Sequence, residues 1–184
     1  MSAVKSTKEQ YESIKQQLMQ DVGADNVMNT PRITKVVVNV GIGRIIKESD
    51  RVQEVFDAIR DITGQLPVKT LAKKSIAGFK IREGQAVGIK VTLRGQRMWD
   101  FLTRLVGGAL PRVRDFQGIA VSAIDQSGNL NIGIKEHTVF PEIIAERVRT
   151  IFSLQVTVSC DASSKEDAEK MYRTLGFPLQ KREK

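Results

Sequence analysis

Cysteine and histidine each occur once in this chain, at Cys160 and His137. A single cysteine excludes an internal disulfide and any zinc site built on cysteine. It also suits a reducing, cytoplasmic compartment. A lone histidine with no Cys/His cluster around it reads as structural or surface, so no metal and no cofactor is expected. No apolar run approaches about 18 residues, which excludes a membrane-spanning helix, and no membrane partner is expected. Residues 1–5 are polar and lack an apolar core, so they do not read as a secretory signal.

Acidic residues are scarce where basic ones gather. Between Pro67 and Gly95 the chain carries Lys69, Lys73, Lys74, Lys80, Arg82, Lys90 and Arg94 against Glu83 alone. The whole chain of 184 residues has a net charge of +8, so most of its excess lies in this one segment. The segment reads as strand, basic loop, strand. Positive charge concentrated on a loop and the sheet beside it is the footprint of a polyanion-binding surface.

Periodicity supplies the elements. Tyr11, Ile14, Leu18 and Val22 predict an amphipathic helix over 8–22. Residues 33–40 alternate as a strand and stop at Gly41-Ile42-Gly43. Val52, Val55, Phe56, Ile59 and Ile62 give a second helix a buried stripe, with Asp50 and Gln53 as a capping box. A strand over 68–71 leads into a basic loop over 72–84. Then Val87, Ile89, Val91 and Leu93 point one way, and Gly88, Lys90, Thr92 and Arg94 the other. A helix holding Met98, Phe101, Leu102 and Leu105 is expected to end at Gly107-Gly108, followed by an extended loop over 109–118. Strands are predicted over 121–124 and 130–134, around a turn at 125–129. Pro141 opens an expected helix running through Val148 and Ile151. Residues 154–160 form a last strand, with Cys160 on its apolar face as an inert buried thiol. Ser163 and Glu166 cap the final helix, which Gly176 stops.

Strands with one apolar and one polar face imply helices on a single side of the sheet. The expected fold class is therefore α+β: two layers, a mostly antiparallel sheet, helices on one face and a projecting basic hairpin loop, all in one domain over 1–184. Whether that loop has a free tip or docks on the core through Phe79 is open at this point.

Chemistry beyond binding finds little support. Asp115, Asp125, Glu136 and Glu142 fall in loops or at helix starts, where turn and cap roles suffice. Gly41 and Gly43 follow a valine-rich strand, but a dinucleotide fingerprint needs glycine or alanine at position 46, where Ile46 stands. The polar strand faces are more informative. If their strands are neighbours, Lys35, Lys90 and Arg94 offer cations to phosphate, while Asn39 and Thr92 offer amide and hydroxyl groups to sugars and base edges. No aromatics stud these faces, so the expected target is structured RNA read by backbone and shape.

Six motifs occur in order. They are Val38-Asn39-Val40-Gly41-Ile42-Gly43, Thr63-Gly64-Gln65-Leu66-Pro67, residues 73–84 (Lys73-Lys74-Ser75 to Arg82-Glu83-Gly84), Val91-Thr92-Leu93-Arg94-Gly95, Leu110-Pro111-Arg112-Val113-Arg114-Asp115-Phe116 and Phe140-Pro141-Glu142-Ile143. In these the chain resembles the bacterial large-subunit ribosomal protein five family, the 5S-rRNA-binding ribosomal proteins, from about residue 25 to 178. The resemblance implies a ribosome-bound, non-enzymatic protein that joins 5S rRNA to large-subunit rRNA in the central protuberance, beside neighbouring 5S-binding proteins. It implies Asn39, Gln65 and Thr92 as 5S contacts. It implies that Lys73, Lys74, Lys80 and Arg82 reach P-site tRNA. Arg112, Arg114, Asp115 and His137 are implied on the side of a small-subunit head protein, in an intersubunit bridge. The chain departs from the family pattern at Asp25, at Val40 and across Ile124-Asp125-Gln126-Ser127-Gly128.

Two other readings are open from the residues. A general RNA chaperone would bind folded 5S rRNA and unrelated RNA alike. A nucleotide-dependent oxidoreductase using Gly41 and Gly43 would show saturable dinucleotide binding.

Overall fold

The computed structural model describes residues 7–23, 26–43, 45–46, 48–144 and 148–180. The expectations for residues 1–5 and for Asp25 lie outside them. The helices are α1 (Thr7–Val22), α2 (Ser49–Thr63), α3 (Gly95–Arg104) and α4 (Lys165–Thr174). The strands are β1 (Arg32–Gly41), β2 (Val68–Leu71), β3 (Ala86–Leu93), β4 (Leu130–Ile134) and β5 (Leu154–Asp161). They form an antiparallel sheet in the order β2-β3-β1-β5-β4, and the class is α+β. The chain divides into two compact units, one of residues Met1–Val36, Arg94–Ile132 and Thr157–Lys184, the other of Val37–Leu93 and Gly133–Val156.

In the first unit, α1 packs against α3 and α4. Leu18 is fully buried, and Tyr11 stacks on Trp99 with ring centroids 5.5 Å apart. The Tyr11 hydroxyl donates to the Pro31 carbonyl at 3.1 Å. Helix α4 buries Ala168, Met171 and Tyr172. The Tyr172 hydroxyl donates to the Gly128 carbonyl at 3.0 Å, which ties α4 to the 125–129 turn. That turn forms as expected: the Asp125 carboxylate accepts from the Asn129 backbone N–H and side-chain amide, both at 2.8 Å.

Several expected features of this unit are displaced. The cap of α4 is Ser164, whose Oγ accepts from the Asp167 N–H at 3.2 Å. Ser163-Ser164 and Glu166-Asp167 offer the same spacing twice, and the second pair is used. Helix α3 does not stop at Gly107-Gly108. Neither glycine takes the left-handed conformation that ends a helix. The chain instead widens into a π-turn at Leu105–Ala109 and then tightens into a 3-10 turn at Leu110–Arg112, burying Leu105, Ala109 and Leu110. The expected strand at 121–124 is a 3-10 turn, Val121–Ala123, that leaves only a bridge from Ile124 to Leu130.

In the second unit, α2 packs on β3. Its stripe of Val52, Val55, Ile59 and Ile62 is buried, as are Val38, Val40, Ile89, Val91 and Leu93 of the strands. Each such side chain contributes about 1.5–3 kcal/mol by leaving water. Gly64 ends α2 at φ 66°, its N–H donating to the Arg60 carbonyl at 2.8 Å. The expected Asp50–Gln53 capping box is absent. The N-cap is Glu48, two residues earlier, and the Gln53 amide donates to Asp57 at 3.1 Å. Asp50 still favours the helix start through its charge.

The helix expected after Pro141 is not formed in the described residues. Residues 141–144 are turn or irregular and 148–151 are irregular, while 145–147 lie outside the description. The Glu54 carboxylate of α2 explains this locally. It accepts from the Arg149 N–H at 2.8 Å and from the Thr150 N–H and hydroxyl at 3.3 and 3.0 Å. Backbone N–H groups held by a side chain of another element do not enter a helical ladder.

Candidate nucleic-acid interface

β2 runs antiparallel to β3 with Val68 opposite Lys90 and Thr70 opposite Gly88. The Ile42 N–H donates to the Val87 carbonyl at 3.1 Å, which joins the end of β1 to β3 on its other side. A Cβ on Gly88 would lie 2.7 Å from Thr70 Oγ1, 3.1 Å from the Val40 carbonyl and 4.0 Å from Asn39 Oδ1. Asn39, Thr70 and Gly88 therefore share one face, and strand alternation adds Val68, Lys90 and Thr92 to it. Asn39 and Lys90 are exposed, and Thr92 is half-buried. None of these positions is acidic.

Gln65 joins this surface from the loop after α2. Its side-chain amide donates to the Thr92 carbonyl at 3.1 Å. The local reason is Thr63, whose hydroxyl donates to the Ile59 and Gln65 carbonyls at 2.7 and 3.1 Å and sets the exit from the helix. Asn39, Gln65 and Thr92 thus stand on neighbouring elements of the second unit. Lys35, half-buried in β1, and Arg94, exposed just after β3, fall in the first unit.

The basic loop is a built hairpin. Ala72 and Gln85 close its base with an N–H···O bond of 2.8 Å. Ile76 and Ile81 exchange two N–H···O bonds of 3.0 and 3.2 Å. The Ser75 hydroxyl accepts from the Glu83 N–H at 2.9 Å, and Gln85 Oε1 from the Arg82 N–H at 3.1 Å. Ala77–Phe79 forms a 3-10 turn, closed by Lys80 at φ 53°. Lys73, Lys74, Lys80 and Arg82 are all exposed, and no ion pair engages them among the described residues. Phe79 is 75% exposed, which decides between the two open arrangements: it does not dock on the core.

Of the remaining candidates, Arg112, Arg114 and Asp115 are exposed in the first unit, Asp115 at φ 55°. His137 is different. It is buried at 2% exposure and stacks on Phe152 with centroids 3.9 Å apart. Burial holds its pKa below the ordinary histidine value. Its imidazole therefore packs inside the second unit, and a partner would meet its neighbours instead. Burial pushes the Glu54 carboxyl up, but its three hydrogen bonds outweigh this and leave its pKa below the usual range. Cys160 is half-buried, and burial with the nearby Asp161 charge pushes its pKa up to about 12.

Thr70 is a surface residue that the sequence pattern did not single out. Its face becomes visible only through the pairing with Gly88. Lys69, by contrast, lies over the Phe56 ring of α2 at 5.7 Å, away from the polar face. The Gly41-Ile42-Gly43 turn does not lead straight into a helix, because α2 begins only at Ser49. A dinucleotide fingerprint needs the glycine turn to open a helix whose N-terminus holds the pyrophosphate.

A non-enzymatic, structural ribosomal protein is the class that this fold and these sequence comparisons define. The signature described as ribosomal protein L5 matches residues 26–82, and the one described as the C-terminus of the same ribosomal family matches residues 86–179. The chain belongs to the ribosomal protein L5 family, and is a structural constituent of the large ribosomal subunit. It is similar to the "Large ribosomal subunit protein uL5" of Halothermothrix orenii, 46% identical over 172 residues, 93% of this chain and 96% of the relative. The protein of the same name from Syntrophomonas wolfei is 45% identical over 173 residues, 92% and 97% of the two chains. That from Idiomarina loihiensis is 39% identical over 170 residues, 92% and 95%. Family membership replaces the oxidoreductase reading.

Proposed function

We propose that the chain binds 5S rRNA through the polar sheet face of its second unit and attaches it to large-subunit rRNA in the central protuberance, beside neighbouring 5S-binding proteins. The observation that carries this reading is the sheet face on which Asn39 and Thr70 flank Gly88 and Lys90 and Thr92 follow along β3, none of them acidic, with Gln65 tied to Thr92. Lys90 supplies a cation of this face to phosphates, and Lys35 and Arg94 of the first unit are proposed as further phosphate contacts. Asn39, Gln65 and Thr92 supply neutral groups that pair with 2′-hydroxyls and base edges. The exposed cations of the hairpin, Lys73, Lys74, Lys80 and Arg82, hold the backbone of P-site tRNA without reading its sequence. That suits a site which accepts every tRNA in turn. Arg112, Arg114 and Asp115 of the first unit face a protein of the small-subunit head, and the surface around His137 in the second unit is a separate candidate for such a contact.

Alanine at Asn39, Gln65 and Thr92 tests the first assignment. A hydrogen bond lost so that a buried RNA group is left unpaired costs about 1–3 kcal/mol. The triple variant is expected to bind 5S rRNA more weakly while its melting curve stays near that of the parent. Wild-type affinity in that variant removes the three residues from the site. Affinity of the parent should also fall steeply with salt, each neutralised phosphate adding about −0.7 to −0.9 to the slope of log K against log salt. Equal affinity for unrelated RNA of the same length would favour the chaperone reading.

A further inference from the structure

We propose that Phe79 is a stacking platform for RNA: the hairpin tip sets its ring against a flat base face exposed at the surface of the tRNA. The inference rests on the reading that the loop meets tRNA, and adds what its tip recognises. Phe79 is 75% exposed, on a segment whose neighbouring side chains are nearly all exposed as well. A phenylalanine left in water gains nothing for the fold, since its apolar area stays hydrated. The tip is nevertheless held in one shape. The Ile76–Ile81 pair clamps it, and the Lys80 N–H donates to the Ala77 carbonyl at 3.0 Å. Lys80 takes a left-handed conformation at φ 53°, ψ 34°, which a side chain with a Cβ adopts at an energetic cost. A strained, clamped turn that presents an aromatic ring outward is a preorganised contact, because little freedom remains to be lost on binding.

The surroundings point to RNA as the occupant. Lys73, Lys74, Lys80 and Arg82 are exposed around the tip, with Glu83 the loop's single acid. Cations bring a phosphate backbone to the loop, and an aromatic face among them finds the π-face of a base. Stacking tolerates any base, so it adds grip without restricting which tRNA is held. Gly78 adds room: nothing lies within 4 Å of where its Cβ would be, so a partner can approach the turn closely.

The test uses large subunits reconstituted with the full-length chain and its variants, measuring retention of deacylated tRNA in the P site across a salt titration. Phe79→Ala is expected to weaken retention by about 5- to 150-fold, the range for loss of one base–aromatic stack. Phe79→Trp should hold as well as the parent or better. Phe79→Leu, apolar but without a π-face, should fall with alanine. The salt slope should be unchanged in all three and shallower in a Lys73→Ala, Lys74→Ala, Arg82→Ala variant. If that charge variant retains tRNA as the parent does, the tRNA reading of the loop fails. If it weakens retention while Phe79→Ala does not, the loop meets tRNA and the stacking proposal alone is overturned. Leucine performing as well as phenylalanine also overturns it, and points to an apolar protein contact. Because Phe79 is exposed, unchanged melting temperatures are expected throughout.

Discussion

Gly88→Ala places a methyl group where the polar face is tightest, and its cost can be worked from the contacts. The new Cβ meets Thr70 Oγ1 at 2.7 Å and the Val40 carbonyl at 3.1 Å. The first distance is impossible without movement; the second asks β1 to yield by a few tenths of an ångström. Overpacking of this size costs about 1–3 kcal/mol. Against it stands the gain from replacing a strand glycine, about 0.5–1 kcal/mol. The net expectation is a loss of up to about 2.5 kcal/mol, read as a lower urea midpoint by far-UV circular dichroism. Thr70→Ala removes the closer obstacle and leaves only the carbonyl. The double variant Gly88→Ala, Thr70→Ala should therefore be more stable than the sum of the single changes by about 1 kcal/mol, as expected for residues in direct contact. A stabilising Gly88→Ala, or strict additivity with Thr70→Ala, would show that β2 does not pack on Gly88 in this register. The same methyl displaces Thr70 beside Asn39, so 5S affinity should fall with it.

Tyr172→Phe should destabilise the chain by about 1–3 kcal/mol, because the Gly128 carbonyl loses a buried donor; chemical denaturation checks this. Stability should fall as pH drops below the ordinary histidine value of 6.5, since the unfolded chain takes up a proton there that buried His137 accepts only at lower pH. His137→Gln should flatten this dependence when urea midpoints are compared at about pH 7.5 and about pH 5.5. Cys160, with its pKa pushed up to about 12, should react with iodoacetamide far more slowly in the folded chain than in urea at about pH 8.

What could be read in the sequence was whatever repeats with a short period. Asn39 and Thr92 lie on long alternating strands, so their faces followed from position alone. Thr70 sits in a four-residue strand whose orientation depends on its register with Gly88. Gln65 is a loop residue, placed by the family resemblance; its bond to the Thr92 carbonyl links positions 27 apart in sequence. His137 illustrates the same limit, because its burial comes from Phe152 and no local pattern announces that stacking. The segment after Pro141 had a proline suited to a helix start, yet Glu54 of a distant helix captures the N–H groups at 149 and 150. The Ser163-Ser164 pair failed for a different reason, since two equivalent caps one residue apart cannot be ranked by spacing.

The exposed hairpin also bears on how long the chain survives before it is assembled. Lys73, Lys74, Lys80 and Arg82 each provide a bond that a trypsin-like protease can cut, on a loop whose side chains nearly all face solvent. Cutting requires local opening, and only a few hydrogen bonds close this loop, so opening it costs far less than unfolding the chain. Free protein is therefore the vulnerable form. If the loop meets tRNA as proposed, tRNA laid over the same cations would shield the same bonds, so cutting would fall on chains whose loop holds no tRNA. The loop proposed to hold tRNA would then also be the place where an uncovered copy is first cut.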